Sequence, residues 1–150
     1  MKVMKFGGTS VGKPERMHQV SQLITANEDP TIVVLSALSG TTNALVNISD
    51  ALAHSDRETA KRKIEELEAH YRSFVESLVQ SEAARTKANS IVSEHFEFLT
   101  IILKISFSEA LFKDILAQGE LLSSKIFCLY LEEQKIEHVL LPALEFMSLD

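Results

Sequence analysis

The chain has almost no cysteine and no long apolar run. Of its 150 residues, one is a cysteine, Cys128, which excludes a disulfide within the chain and fits a reducing compartment. Cys128 lies in an apolar helical run, so we predict a buried core thiol. The most apolar stretch, residues 98–107, is short and contains Lys104, which argues against a membrane span. The N-terminus lacks the apolar core of a signal peptide, and we expect a cytoplasmic protein.

Basic charge and metal-ligand patterns are also scarce. The sequence has 15 Lys and Arg against 21 Asp and Glu, a net charge of −6, and the charges are dispersed. A broad basic face for nucleic acid is therefore not expected. The five histidines show no ligand spacing with cysteine or carboxylate residues, so no metal site built from protein ligands is predicted.

The most informative segment that is present is residues 5–10, KFGGTS, directly after the apolar pair Val3-Met4. It reads as a buried strand that two glycines end abruptly. Glycine lets a backbone approach a bulky ligand, and N–H groups between a strand end and a helix start can bind phosphate. A lysine beside such a turn can neutralise a transferring phosphoryl group. The candidate phosphate contacts are Lys5, Gly7, Gly8, Thr9 and Ser10, of which the last two could equally only cap the turn.

A P-loop is the obvious alternative for this segment. Gly7, Gly12 and Lys13 fit the first part of the pattern G-x-x-x-x-G-K-[ST]. Pro14 stands where the pattern needs Ser or Thr, and proline offers neither a hydroxyl for Mg²⁺ nor an N–H for phosphate. Proline suits the first turn of a helix instead, so we predict a helix that begins near Pro14.

A second polar turn follows the second predicted strand. Residues 32–35 form an apolar, mostly β-branched run, typical of a central parallel strand buried on both faces. The turn, residues 36–43, leads into another helix. Because ligands in open α/β sheets sit outside the carboxyl ends of the strands, both turns should meet at one edge. Candidate contacts for a small carboxylated ligand, or else turn and cap residues, are Ser36, Thr41 and Thr42.

The rest of the chain is largely helical by pattern. Residues 57–103 carry two apolar stripes, separated near residues 80–82, that suit packing against the domain or against a partner. A capped helix from about Ser108 to Leu116 is predicted to stop at residues 118–120, before a new helix to Glu133 and a third parallel strand at residues 137–141. Glu120 would then begin a helix, where it either favours the helix dipole or accepts hydrogen bonds from a substrate ammonium group.

Three separated segments resemble the signatures of one family. Residues 5–11, KFGGTSV, residues 33–43, VVLSALSGTTN, and residues 119–123, GELLS, are similar in order and separation to the motifs of aspartokinases within the amino acid kinase superfamily. The resemblance implies a partial three-layer α/β/α sandwich with a mainly parallel sheet, helix-rich over these residues.

The activity that the resemblance implies is transfer of the ATP γ-phosphoryl group to the β-carboxylate of L-aspartate, the first step toward lysine, threonine and methionine. ATP would be bound with Mg²⁺ held through the nucleotide phosphates. Lys5 would stabilise the phosphoryl group in transfer, with Gly7 and Gly8 contacting phosphates. Aspartate would be contacted by Ser36 and Thr42 and, at its α-ammonium group, by Glu120.

Aspartokinases are longer than this chain. The resemblance therefore implies that residues 1–150 are the N-terminal, aspartate-binding part of a catalytic domain, without the rest of that domain or the ACT regulatory domains. We expect such a piece to be inactive alone and to form homo-oligomers through surfaces left uncovered. The alternatives are an inactive aspartate-binding or assembly module and another member of the superfamily.

Overall fold

The computed structural model describes residues 1–26 and 29–146. Two strands, β1 and β2, alternate with short and long helices, after which the chain is helical. The elements are β1 (Lys2–Phe6), α1 (Gly8–Val11), α2 (Pro14–Thr25), β2 (Thr31–Leu35), α3 (Thr41–Ala53), α4 (Arg57–Leu78), α5 (Glu82–Ile101), a 3₁₀ turn (Ile102–Lys104), α6 (Glu109–Glu133) and α7 (Ala143–Phe146). The α/β class, the parallel pairing and the helix-rich character are confirmed.

The first unit is a β-α-β crossover, as the sequence predicts. β1 and β2 pair in parallel, with Lys5 opposite Val34 and Phe6 opposite Leu35. Pro14 is the first residue of α2, where its missing N–H needs no partner. The short helix α1, which starts directly at Gly8, was not predicted; it replaces a simple turn at the end of β1.

The prediction that these strands are buried on both faces is wrong for the described residues. Phe6, Val33 and Leu35 pack against the core. On the opposite face, Val34 is 44% exposed and Val3 is 65% exposed. Successive side chains of a strand point to opposite faces, and in the described part of the chain helices cover only one of them. Lys5 lies on this uncovered face, since it alternates with Met4 and Phe6.

Helices α3 to α6 form the core. Each contacts the next in sequence, and α6 returns to contact α3. The predicted pair of helices over residues 57–103 is confirmed, and Ser81 caps α5 by accepting a hydrogen bond from the Ala84 N–H. The apolar stripe of α4, which includes Ile64, Tyr71 and Phe74, is buried. No helix in the described residues is long and apolar enough to cross a bilayer.

The predicted interruption at residues 118–120 is wrong, because α6 runs unbroken from Glu109 to Glu133. Gly119 lies in the interior of the helix and is buried. A Cβ placed there would lie 2.8 Å from the Ala37 Cβ, so this glycine serves close packing rather than a turn. Glu120 is consequently in the middle of a helix, not in its first turn, and the helix-dipole explanation for it fails.

Two further expectations about the C-terminal part are corrected. Residues 137–141 form no strand; they make no ladder with β1 or β2, and Val139 is 80% exposed. A short apolar run forms a strand only where a neighbouring edge supplies hydrogen bonds. Cys128 is half-buried rather than fully buried, and burial raises the pKa of its thiol.

Candidate functional site

The two polar turns begin side by side, as predicted. The Ser36 N–H donates a hydrogen bond of 3.0 Å to the carbonyl oxygen of Phe6, the last residue of β1, which extends the parallel ladder by one residue beyond the end of β2. Gly7 and Ser36 therefore leave the sheet at the same edge, the carboxyl ends of β1 and β2. In open α/β sheets this edge is where ligands bind.

Two glycines, one in the first motif and one directly after it, allow this segment to pack closely on the second motif. A Cβ on Gly8 would lie 3.0 Å from the Ala37 carbonyl oxygen. One on Gly12 would lie 2.6 Å from the Ser39 Cβ. Both values are at or below the closest approach of real side chains, so the backbone of α1 can touch the loop at residues 36–40 only because these positions lack a side chain.

The third motif contacts the same loop from α6. A Cβ on Gly119 would meet Ala37 and also the Thr41 Cγ2, at 3.3 Å. The buried Ser123 hydroxyl donates a hydrogen bond of 2.9 Å to the Ser36 carbonyl oxygen. Motifs separated by more than a hundred residues in sequence thus converge on residues 36–41, hereafter the central loop.

The predicted site residues differ in accessibility. Gly7 is exposed, and a Cβ there would have nothing within 4 Å, so the backbone faces open space. Its neighbour Gly8 begins α1, whose first N–H groups have no acceptor inside the helix. The exposed members of the set are Lys5, Gly7, Thr9, Thr42 and Glu120; the half-buried members are Gly8, Ser10 and Ser36; Thr41 alone is buried.

Sequence reasoning missed Tyr71, which it treated only as part of an apolar stripe. The Tyr71 hydroxyl and the Thr41 Oγ1 form a hydrogen bond of 2.8 Å between α4 and the first residue of α3. Burial raises the pKa of Tyr71 to about 12, the Glu120 charge acts in the same direction, and the Thr41 hydrogen bond opposes both. The hydroxyl of a buried tyrosine usually has a hydrogen-bond partner. A tyrosine within an apolar stripe could therefore have predicted such a partner from the sequence.

His95, on α5, contacts the residue directly before the third motif. Its Nδ1 lies 2.6 Å from the Oε1 of Gln118, the residue before Gly119. His95 is 6% exposed and its Nε2 is buried without a hydrogen-bond partner among the described residues. Burial lowers the pKa of His95, and the hydrogen bond to Gln118 acts in the opposite direction.

The lowered pKa of His95 predicts a loss of stability in acid. A histidine whose pKa is lower in the folded than in the unfolded state stabilises fully above its unfolded pKa of about 6.5, and that contribution declines as the pH falls below it. We expect the free energy of unfolding of His95→Gln to fall less than that of wild type when the pH is lowered from 7.5 to 5.5. Urea unfolding at both values measures this, and equal pH dependence in the two proteins would contradict it.

A parallel α/β unit that carries a glycine-rich turn and a polar loop at one sheet edge defines an α/β domain with a candidate site for a small anionic ligand. The comparisons with known proteins make the assignment specific. The profile of the amino acid kinase family matches residues 1–148, so the chain belongs to that family.

Its relatives are aspartokinases. The chain is 36% identical over 149 residues to the chloroplastic aspartokinase 3 of Arabidopsis thaliana, a match that covers 91% of the chain and 24% of the relative. It is 27% identical over 135 residues to the lysine-sensitive aspartokinase 3 of Escherichia coli, covering 90% of the chain and 29% of the relative. The chain thus spans about a quarter of the length of these relatives.

Solved structures agree with this. A crystal structure of E. coli aspartokinase III with aspartate and ADP is 26% identical and superposes with a TM-score of 0.70, over 90% of this chain and 29% of that one. A second structure of the same enzyme, with lysine and aspartate, gives a TM-score of 0.74 at 25% identity. The predicted resemblance to aspartokinases is therefore confirmed.

Proposed function

We propose that residues 1–150 form the N-terminal, aspartate-binding part of the catalytic domain of an aspartate kinase. The enzyme would transfer the γ-phosphoryl group of ATP to the β-carboxylate of L-aspartate, giving 4-phospho-L-aspartate for lysine, threonine and methionine synthesis. The observation that carries the proposal is that the first and third motifs, distant in sequence, both pack on the central loop of the second motif. That a similar aspartokinase structure holds aspartate and ADP supports it.

In this proposal the first motif contacts the nucleotide. Lys5 places its ammonium group beside the transferring phosphoryl group, where it offsets the charge on the equatorial oxygens. The backbone N–H groups of Gly7 and Gly8 contact phosphate oxygens, and the hydroxyls of Thr9 and Ser10 extend the same turn. The open space at Gly7 and the exposure of Lys5 are consistent with these roles.

Aspartate binding would use the other two motifs. Ser36 and Thr42 donate hydrogen bonds to carboxylate oxygens, while the Glu120 carboxylate accepts hydrogen bonds from the α-ammonium group. Thr41 contributes from within the loop that it anchors. A carboxylate at one end of this site and hydroxyl donors at the other select an amino acid over a simple dicarboxylate.

The transfer itself needs no covalent enzyme intermediate. A β-carboxylate oxygen of aspartate forms the new bond to the γ-phosphorus while the bond to the bridging oxygen breaks, and ADP leaves with that oxygen and its electron pair. Mg²⁺ held by the nucleotide phosphates supplies further charge neutralisation. Positioning by the three motifs then accounts for most of the rate enhancement from these residues.

A second candidate function is an aspartate-binding or assembly module that does not catalyse phosphoryl transfer. It is favoured by the uncovered face of the sheet, where Lys5 lies beside the exposed side chains of Val3 and Val34. A phosphoryl-transfer site excludes water, and this face is open in the described residues. Self-association through the same face stays a prediction, which light scattering would test.

The experiment that separates the candidates is a hydroxamate assay. Mg-ATP, L-aspartate and hydroxylamine are added to the 150-residue chain and to the full product of its gene, and aspartyl hydroxamate is measured. The kinase proposal predicts hydroxamate from the full product that falls by about a hundredfold or more in Lys5→Ala, since a positioned charge on the transition state is lost.

Lys2→Ala is the matched control for this experiment. Lys2 lies on the same strand as Lys5 and about 10 Å from it, because three residues of extended chain separate the two. Lys2→Ala therefore removes a charge of the same sign without changing the turn. Equal losses in both variants, or no hydroxamate from the full product, would contradict the kinase proposal. Binding of L-aspartate that Glu120→Gln abolishes, without any hydroxamate, would support the second candidate.

A further inference from the structure

Tyr71 is a core residue with one polar atom that reaches the candidate site. It lies on α4 and is fully buried, and its ring packs against Phe96 of α5 at a centroid distance of 5.8 Å. This packing fixes the ring from behind. The hydroxyl, at the far end of the ring, lies 2.8 Å from the Thr41 Oγ1. A rigid, two-torsion side chain therefore connects the hydrophobic core to the start of α3.

Thr41 is the point at which the central loop becomes a helix. Gly40, directly before it, has φ of +83°, a left-handed conformation that lets the chain turn sharply into α3. The Thr41 N–H donates a hydrogen bond of 3.0 Å to the Leu38 carbonyl oxygen, which closes this turn. The side chain of Thr41 is 2% exposed and faces α4, whereas that of Thr42 is exposed.

Tyr71 and Glu120 approach the same loop from different helices. A Cβ on Gly119, next to Glu120, would meet Ala37 and Thr41, so α6 packs closely on the loop there, while Tyr71 contacts Thr41 through its hydroxyl. The Glu120 charge is close enough to the phenol to raise its pKa. The loop is therefore held between α4 and α6. The Thr41–Tyr71 hydroxyl pair attaches it to α4, and close packing at Gly119 together with the Ser123 hydrogen bond to Ser36 attaches it to α6.

We propose that Tyr71 is a positioning residue of the aspartate site, whose hydroxyl holds Thr41 and so sets the distance between the central loop and Glu120. This inference rests on the proposed function, because it assigns Thr42 and Glu120 to opposite ends of one ligand. A ligand that spans both ends senses this distance, and a ligand that touches only the loop does not. L-aspartate is of the first kind; succinate, which lacks the ammonium group, is of the second.

Nuclear magnetic resonance titrations of the chain with L-aspartate and with succinate test the proposal. Tyr71→Phe keeps the ring and removes the hydroxyl; we expect L-aspartate to bind about fivefold to tenfold more weakly and succinate to change little, as for loss of one buried hydrogen bond. Thr41→Val should reproduce this effect. Thr41→Ser keeps the hydroxyl and should therefore keep most of the wild-type affinity for L-aspartate. Combining Tyr71→Phe with Thr41→Val should add little, since both remove the same contact.

Tyr130→Phe is the control, because it removes the hydroxyl of the other tyrosine, which lies on α6 against His18. A variant that only loosened the fold would weaken both ligands alike. If wild type binds L-aspartate and Tyr71→Phe keeps its preference over succinate, the positioning role is overturned while the proposed function stands. If wild type binds no L-aspartate, the proposed function fails and the positioning role with it.

Amide hydrogen exchange without ligand is a second, independent test of the contact between Tyr71 and Thr41. Exchange at Thr41 and Ala44, whose N–H groups donate to the Leu38 and Gly40 carbonyl oxygens, should be faster in Tyr71→Phe than in Tyr130→Phe, because the start of α3 loses its attachment to α4. Equal exchange in the two variants would overturn the proposal whatever the titrations show.

Discussion

Replacing Gly119 with valine is expected to lower the free energy of unfolding by about 3 kcal/mol and the Tm by about 10 °C. The added Cβ would lie 2.8 Å from the Ala37 Cβ, and the γ-methyl groups would enter a space bounded by Thr41 and Leu45. Helix α6 would have to move away from the central loop, which would also displace Glu120. Chemical denaturation and an L-aspartate titration measure the two consequences.

Gly119→Ala and Ala110→Val make this prediction specific. Alanine favours the helix over glycine by about 1 kcal/mol, which offsets part of the cost of its close Cβ contact. The net loss in the free energy of unfolding should therefore be much smaller for Gly119→Ala than for Gly119→Val. Ala110 is exposed in the same helix, and valine there should change stability by less than about 1 kcal/mol. Similar losses for valine at both positions would mean that close packing at Gly119 is unimportant.

Gly12→Ala is expected to destabilise the protein by about 2 kcal/mol, by overpacking between α1 and the central loop. Gly12 has φ of −74°, so any residue can adopt its backbone conformation. The effect comes instead from the new Cβ, which would lie 2.6 Å from the Ser39 Cβ and 2.9 Å from the Gly8 carbonyl oxygen. Thermal unfolding measures the loss, and binding of ADP should weaken with it because the phosphate turn is displaced.

A second substitution separates the two contacts at Gly12. Ser39→Gly removes the nearer atom, so in the Gly12→Ala background it should restore roughly half of the lost stability, whereas the Gly8 oxygen remains in place. Gly7→Ala is the matched control, since a Cβ at Gly7 would have nothing within 4 Å. A loss at Gly7 as large as that at Gly12 would contradict the steric explanation.

The sequence predicted well wherever local chemistry decides the outcome. Pro14 begins α2, and the stripes of α4 and α5 are buried as their spacing requires. Ser108 caps α6 through the Leu111 N–H, as its position before Glu109 suggests. These features depend on residues within one or two helical turns, so a linear pattern contains the information.

The errors share a different origin. Gly119 looks like a helix break, yet its meaning depends on Ala37, which is far away in sequence. Residues 137–141 look like a strand, but in the fold they do not pair with β1 or β2. Tyr71 looks like any apolar stripe residue until Thr41 is found beside its hydroxyl. Each of these depends on a partner that sequence order does not reveal.

The sequence by itself determined the α/β class, the parallel β-α-β start, the three motifs and the kinase family, because periodicity and short signatures are local properties. Only the tertiary structure decided that the motifs meet on one loop, that Glu120 projects from the middle of an unbroken helix, and that Tyr71 reaches Thr41. The physical reason is that a site is a set of distances between elements. Those distances follow from close packing at Gly8, Gly12 and Gly119, where the absence of a side chain matters only once the opposing surface is in place.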